Sequence, residues 1–144
     1  MNNKQIMALK VAGVLWVIWG LVHALFGVVI ISADASGGFA AIAAGVPPGA
    51  LSADYHPAIE GILNQHAWNL LWFGVVTTIG GVMIWRRNMV AIWVTSMVGG
   101  LADLGYLIFV DFPGYATFFP GTLMTLIAGS AIVIGGWVWL AQRG

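Results

Sequence analysis

Four stretches of this 144-residue chain, 11–31, 66–85, 89–110 and 121–140, are long, apolar and almost free of charge. About 20 such residues span a hydrocarbon core of about 30 Å as a helix. Inside that core no water satisfies a backbone N–H or C=O, so each stretch has to be α-helical. The chain is therefore expected to be an all-α integral membrane protein, a four-transmembrane-helix bundle forming one domain over residues 1–144. Composition agrees, with 60% of residues hydrophobic and 7% charged. The first stretch is too long for a secretory leader and lacks a small-residue cleavage site, so it reads as a mature span.

All five basic residues fall on one side of this arrangement: Lys4 and Lys10 before the first span, Arg86 and Arg87 between the second and third, and Arg143 at the end. The positive-inside rule then makes both termini cytoplasmic, and a bacterial inner membrane is the expected location. Asp34, Asp54, Glu60 and Asp111 take the opposite side, and the fifth acid, Asp103, is left inside the third span. Five scattered cations make no basic stripe, which excludes a nucleic-acid partner. The absence of cysteine excludes disulfides and thiolate metal sites.

Small and polar residues recur at steps of three and four in each span, which gathers them on one helical face. In the first span these are Gly13, Trp16, Gly20, His23 and Gly27; in the second, His66, Asn69, Phe73, Thr77 and Gly80; in the third, Ser96, Gly99, Asp103 and Tyr106; in the fourth, Thr122, Thr125, Gly129 and Gly136. Helices in lipid associate by close packing, so these stripes should face the bundle interior. A small-residue face left over, such as Gly99 and Gly100, would suit a homodimer or a larger membrane complex.

The connection between the first two spans is long. Its Ala- and Gly-rich part, 33–52, reads as a loop with little order, whereas 54–66 reads as a short amphipathic helix with Pro57 in its first turn. That helix either lies across the bundle mouth as a lid or runs directly into the second span. The connection 111–121 is rich in aromatic and turn residues, as at a headgroup interface.

His23 and Asp103 are the ionisable residues deep in their spans, and each needs a polar partner. Counting about 1.5 Å per residue places them about 3 and about 4 to 5 Å outward of the bilayer middle. On the same count Asn69 lies near 10 Å and His66 near 14 Å. The bland reading is a structural pair that holds the first and third spans in register. The functional reading is a pocket for a lipophilic molecule such as a quinone or lipid. In it, Trp16, Trp19, Trp72 and Phe73 form the wall, and His23, His66, Asn69, Asp103 and Tyr106 fix the polar end.

His23, His66 and Asp103 also make a two-histidine, one-carboxylate metal set on paper, and the two histidines could ligate a haem b. The depth gap of about 11 Å between them weighs against both. Proton-coupled transport and a role as accessory subunit of a larger assembly are further alternatives. No nucleophile–base set is legible, so binding is expected in preference to catalysis.

Overall fold

The structure is a computed structural model that describes residues 1–143. Among these residues four helices are long and apolar enough to cross a membrane. The elements are α1 (Asn3–Ile31), α2 (Ala35–Ile42), α3 (Pro48–Leu51), α4 (Pro57–Trp85), α5 (Met89–Tyr106) and α6 (Leu123–Leu140). Wide, π-type turns at Leu107–Asp111 and Phe118–Thr122 extend α5 and precede α6.

Two long helices begin earlier than hydropathy alone indicates. The Asn2 side chain accepts from the Gln5 N–H, and the Gln5 side chain accepts from the Asn2 N–H, both at 2.9 Å. This reciprocal cap satisfies two donors at the end of a helix and carries α1 out to Asn3. At 29 residues α1 is about 43 Å long, so it reaches beyond the hydrocarbon at one end at least. Pro57 opens α4, with His56 as cap. Of the two arrangements expected for 54–66, a lid across the bundle mouth and a helix running directly into the second span, the structure has the second, since the residues from Pro57 onward are the first turns of α4.

The 33–52 segment departs from expectation too, since it contains α2 and α3. Asp34 caps α2 by accepting from the Gly37 N–H at 2.8 Å. Ala35 of α2 packs in a small core with Ile30, Leu63 and Ala67. Burial against α1 and α4 outweighs the poor helix propensity of Ser36, Gly37 and Gly38.

The turn from α4 to α5 closes on three residues. The Arg87 N–H donates to the Ile84 carbonyl at 2.8 Å and the Asn88 N–H to the Met83 carbonyl at 3.0 Å. This is the paired-bond ending in which glycine usually takes the left-handed position, yet that position holds Arg87, at φ 68°. The Asn88 side chain then caps α5 through the Val90 and Ala91 N–H groups. Arg87→Gly is expected to stabilise the bundle by about 0.5 to 1 kcal/mol by removing the Cβ strain. Unfolding in mixed micelles measures this, and a destabilised variant would contradict it.

In the bundle α1 packs on α4 and α6, and α5 packs on the same two, so α1 and α5 face each other across the diagonal. The α1–α4 seam is built from small residues seven apart. A β-carbon at Gly13, Gly20 or Gly27 would fall 2.7, 2.5 and 2.7 Å from the carbonyl oxygens of Gly81, Gly74 and Ala67. Only glycine permits backbones this close. Across the diagonal, Trp16 reaches over to Gly99, where its ring fills the space a side chain would need. Gly100 meets Ile132. The Gly99–Gly100 face is therefore consumed inside the bundle and is not left over for a dimer. On α6 the inward-facing assignment of Gly129 and Gly136 also fails: a β-carbon at either meets no atom within 4 Å, while Ala128, Ala131 and Gly135 supply the buried side.

The basic end is marked by cation–ring contacts, with Lys10 Nζ 5.2 Å from the Trp85 ring centroid and the Arg143 guanidinium 3.6 Å from that of Trp139. A Gln142–Gln5 hydrogen bond of 2.9 Å ties the chain ends together there. The opposite end carries α2, α3 and the 111–121 connection, joined by the Gly45 N–H donating to the Tyr115 carbonyl at 2.8 Å.

Candidate ligand site

The site is organised by Trp19, which is fully buried. Its indole N–H donates to Oδ2 of Asp103 at 2.8 Å. One turn on, the His23 ring stacks on the Trp19 ring with centroids 3.6 Å apart and planes 17° from parallel. Nδ1 of His23 lies 2.8 Å from the Trp19 carbonyl oxygen. A carbonyl only accepts, so Nδ1 is the protonated nitrogen in this contact and Nε2 is left to face elsewhere.

Nε2 faces Asp103. It lies 3.8 Å from Oδ1, within ion-pair distance for a protonated imidazole but too far for a direct hydrogen bond. The carboxylate is almost wholly enclosed and the imidazole mostly so, with side chains 7% and 16% exposed. The expected pairing of these two residues across the first and third spans is therefore present as proximity, with Trp19 bonded to both. The sequence marks Trp19 only as a wall residue. The signal for its bridging role is its place four residues before His23, one helical turn away.

A cavity of 340 Å³ opens from this pair toward the end that carries α2. Its wall is mainly apolar: Val22, Phe26 and Ile30 of α1, Leu70 and Phe73 of α4, Ala102 and Gly105 of α5, Phe109 and Val110 beyond it, and Met124 of α6. Four ionisable residues join them, His23, His66, Asp103 and Tyr106. Ala41 and Ile42 of α2 form part of the boundary. The Tyr106 hydroxyl donates to the Ile42 carbonyl at 3.3 Å, which fastens α2 to the end of α5. Gly121 lies beside it, where a β-carbon would fall 2.7 Å from the Tyr106 hydroxyl and press on it.

Of the expected site residues, His23, His66, Phe73, Asp103 and Tyr106 line the cavity together. Four do not. Trp16 is buried against Gly99, and Trp19 lies behind the His23–Asp103 pair. Asn69 accepts from the Trp72 indole N–H at 3.1 Å, on an outward part of α4. Trp72 is 39% exposed and packs edge-on to Phe73. Lower on the α4 stripe the inward assignment holds: Thr77 is buried and donates back to the Phe73 carbonyl, and Gly80 gives room to Thr95 of α5.

The metal set is also not formed. Among the described residues no three His, Cys, Asp or Glu side chains come together in a way that could hold a metal ion. The α2 boundary, Phe26, Phe109 and Gly105 line the cavity in addition to the expected residues. For Phe26 the signal is its position three residues after His23 and for Phe109 its position three residues after Tyr106, whereas for Gly105 and the α2 boundary the sequence carries none.

Compared with known proteins, the chain matches no family model, no curated relative and no solved structure.

Proposed function

We propose that this small integral membrane protein binds a lipophilic small molecule in the cavity between α1, α4 and α5, with the His23–Asp103 pair at its polar end. The observation that carries the reading is a 340 Å³ apolar cavity into which three helices bring a few ionisable groups, His23 of α1, His66 of α4, and Asp103 and Tyr106 of α5. Ligand sites generally combine an apolar enclosure with a few placed polar groups, and run from about 300 to 1,000 Å³. This one is at the small end, which suits a compact head group with a short apolar tail, such as a quinone-type or single-chain lipid-type molecule. Stability alone is a weak reason to hold an Asp at this depth, because polar contacts between membrane helices average only about 0.6 kcal/mol.

Gly105 supplies the test. It lines the cavity, and a β-carbon there meets no heavy atom within 4 Å. Gly105→Phe is therefore expected to fill the cavity without displacing backbone, and the helix gains by losing a glycine. Mass spectrometry of small molecules that leave with the detergent-purified protein should show a species in the wild type that is depleted by about tenfold or more in the variant. An identical profile for the two folded proteins would remove the proposal.

The same reading places both termini in the cytoplasm and the α2–α3 connection outside, on the one-sided distribution of Lys and Arg. The chain has no cysteine, so single-cysteine labelling is clean. Gly49→Cys, at an open position in α3, should react with a membrane-impermeant maleimide in intact spheroplasts, and Asn3→Cys should react only after lysis. The reverse pattern would invert the topology.

A further inference from the structure

The polar end of the cavity leaves two valences open, and their spacing selects a chemical group. Nδ1 of His23 is engaged by the Trp19 carbonyl and Oδ2 of Asp103 by the Trp19 indole N–H. The Tyr106 hydroxyl proton is directed to the Ile42 carbonyl. Among the described residues Nε2 of His23 and Oδ1 of Asp103 have no such partner, and they stand 3.8 Å apart, both on cavity-lining residues. One oxygen about 2.8 Å from each would bridge that gap.

That oxygen has to donate and accept at once. If the imidazole holds the proton that the pair shares, Nε2–H donates to the bridging oxygen and the bridging O–H donates to Oδ1. If the carboxyl holds it, Asp103 donates to the oxygen and the oxygen donates to Nε2. A hydroxyl satisfies both arrangements, with one donor and two acceptor lone pairs. A ketone or ether oxygen only accepts, so it would leave either Oδ1 or Nε2 buried without a donor, at the full desolvation cost.

We propose that the cavity selects a lipophile bearing a free hydroxyl, which seats between Nε2 of His23 and Oδ1 of Asp103. This rests on the lipophile-site reading above and narrows it, favouring an alcohol, phenol or quinol over the matching ether, ketone or quinone. Trp19 acts as a positioning residue, since it holds both partners by the atoms that face away from the ligand.

The experiment is saturation binding of three radiolabelled probes to the purified protein in detergent: 4-nonylphenol, 4-nonylcyclohexanol and 4-nonylanisole. The first two present a hydroxyl on an aromatic and on a saturated ring, which separates those two sources of the same chemistry. The third has the oxygen without the proton. At least one hydroxyl probe is expected to bind about tenfold or more tightly than the anisole. In His23→Phe, which keeps a ring to stack on Trp19, the advantage should fall to within about threefold.

Equal binding of the anisole and both hydroxyl probes to the wild type would overturn the hydroxyl inference while leaving the cavity reading standing, and this comparison needs no variant to fold. Saturable binding of none of the three, or binding that persists in Gly105→Phe, would overturn both.

Discussion

Replacing Gly20 or Gly74 with leucine is expected to abolish the folded bundle, whereas the same change at Gly105 leaves it intact. A β-carbon at Gly20 would fall 2.5 Å from the Gly74 carbonyl oxygen and 2.7 Å from the Thr78 amide nitrogen. Those are backbone atoms of a helix 29 residues long, and no rotamer change moves them away. The helices have to separate along the whole seam, which also lifts Gly13 from Gly81 and Gly27 from Ala67. Overpacking in a core that can relax costs about 1 to 3 kcal/mol, and this seam cannot relax, so the loss should exceed about 3 kcal/mol. Thermal unfolding followed by circular dichroism and by size-exclusion profile in detergent reads the difference. Gly20→Leu that melts like the wild type would mean that α1 and α4 are not in backbone contact.

Trp19→Ala should be the most damaging substitution at the site itself. It removes a buried indole, the donor to Asp103 and the surface on which His23 stacks, so a loss of about 3 to 5 kcal/mol is expected. Trp19→Phe keeps most of the volume and deletes only the N–H, and should cost about 1 to 3 kcal/mol by leaving Oδ2 of Asp103 without its partner. The two residues it holds are expected to be coupled through the 3.8 Å approach. His23→Ala combined with Asp103→Asn should be less harmful than the sum of the single changes, by about 0.5 to 2 kcal/mol on the scale of polar contacts between membrane helices. Strict additivity in a bilayer or detergent unfolding assay would show that the pair shares nothing but location.

Much of this arrangement was written in the chain at the level of composition and period. Apolar length dictates helices because hydrocarbon leaves the backbone no other way to satisfy its hydrogen bonds. The spans 11–31, 66–85, 89–110 and 121–140 accordingly lie within, or nearly coincide with, the four long helices. The burial cost of an ionisable group singled out His23 and Asp103, and periodicity put them on stripes that meet. Pro57 marked a helix start for the reason that its missing N–H has no partner to lose there.

What the sequence could not determine is which helix each stripe faces, because a period gives an angle around one axis and says nothing about the neighbour. Gly13, Gly20 and Gly27 pack on α4, while Trp16 on nearly the same face crosses to α5. Asn69 turns away from the cavity toward Trp72, and Gly129 and Gly136 turn outward. The 33–52 segment became partly helical because Ile30, Leu63 and Ala67 offered Ala35 a surface to bury against, a stabilisation that no local propensity contains. Trp19 became the centre of the site because His23 of its own helix meets its carbonyl and ring face while Asp103 of α5 meets its N–H. That coincidence exists only once α1 and α5 stand opposite each other across the bundle.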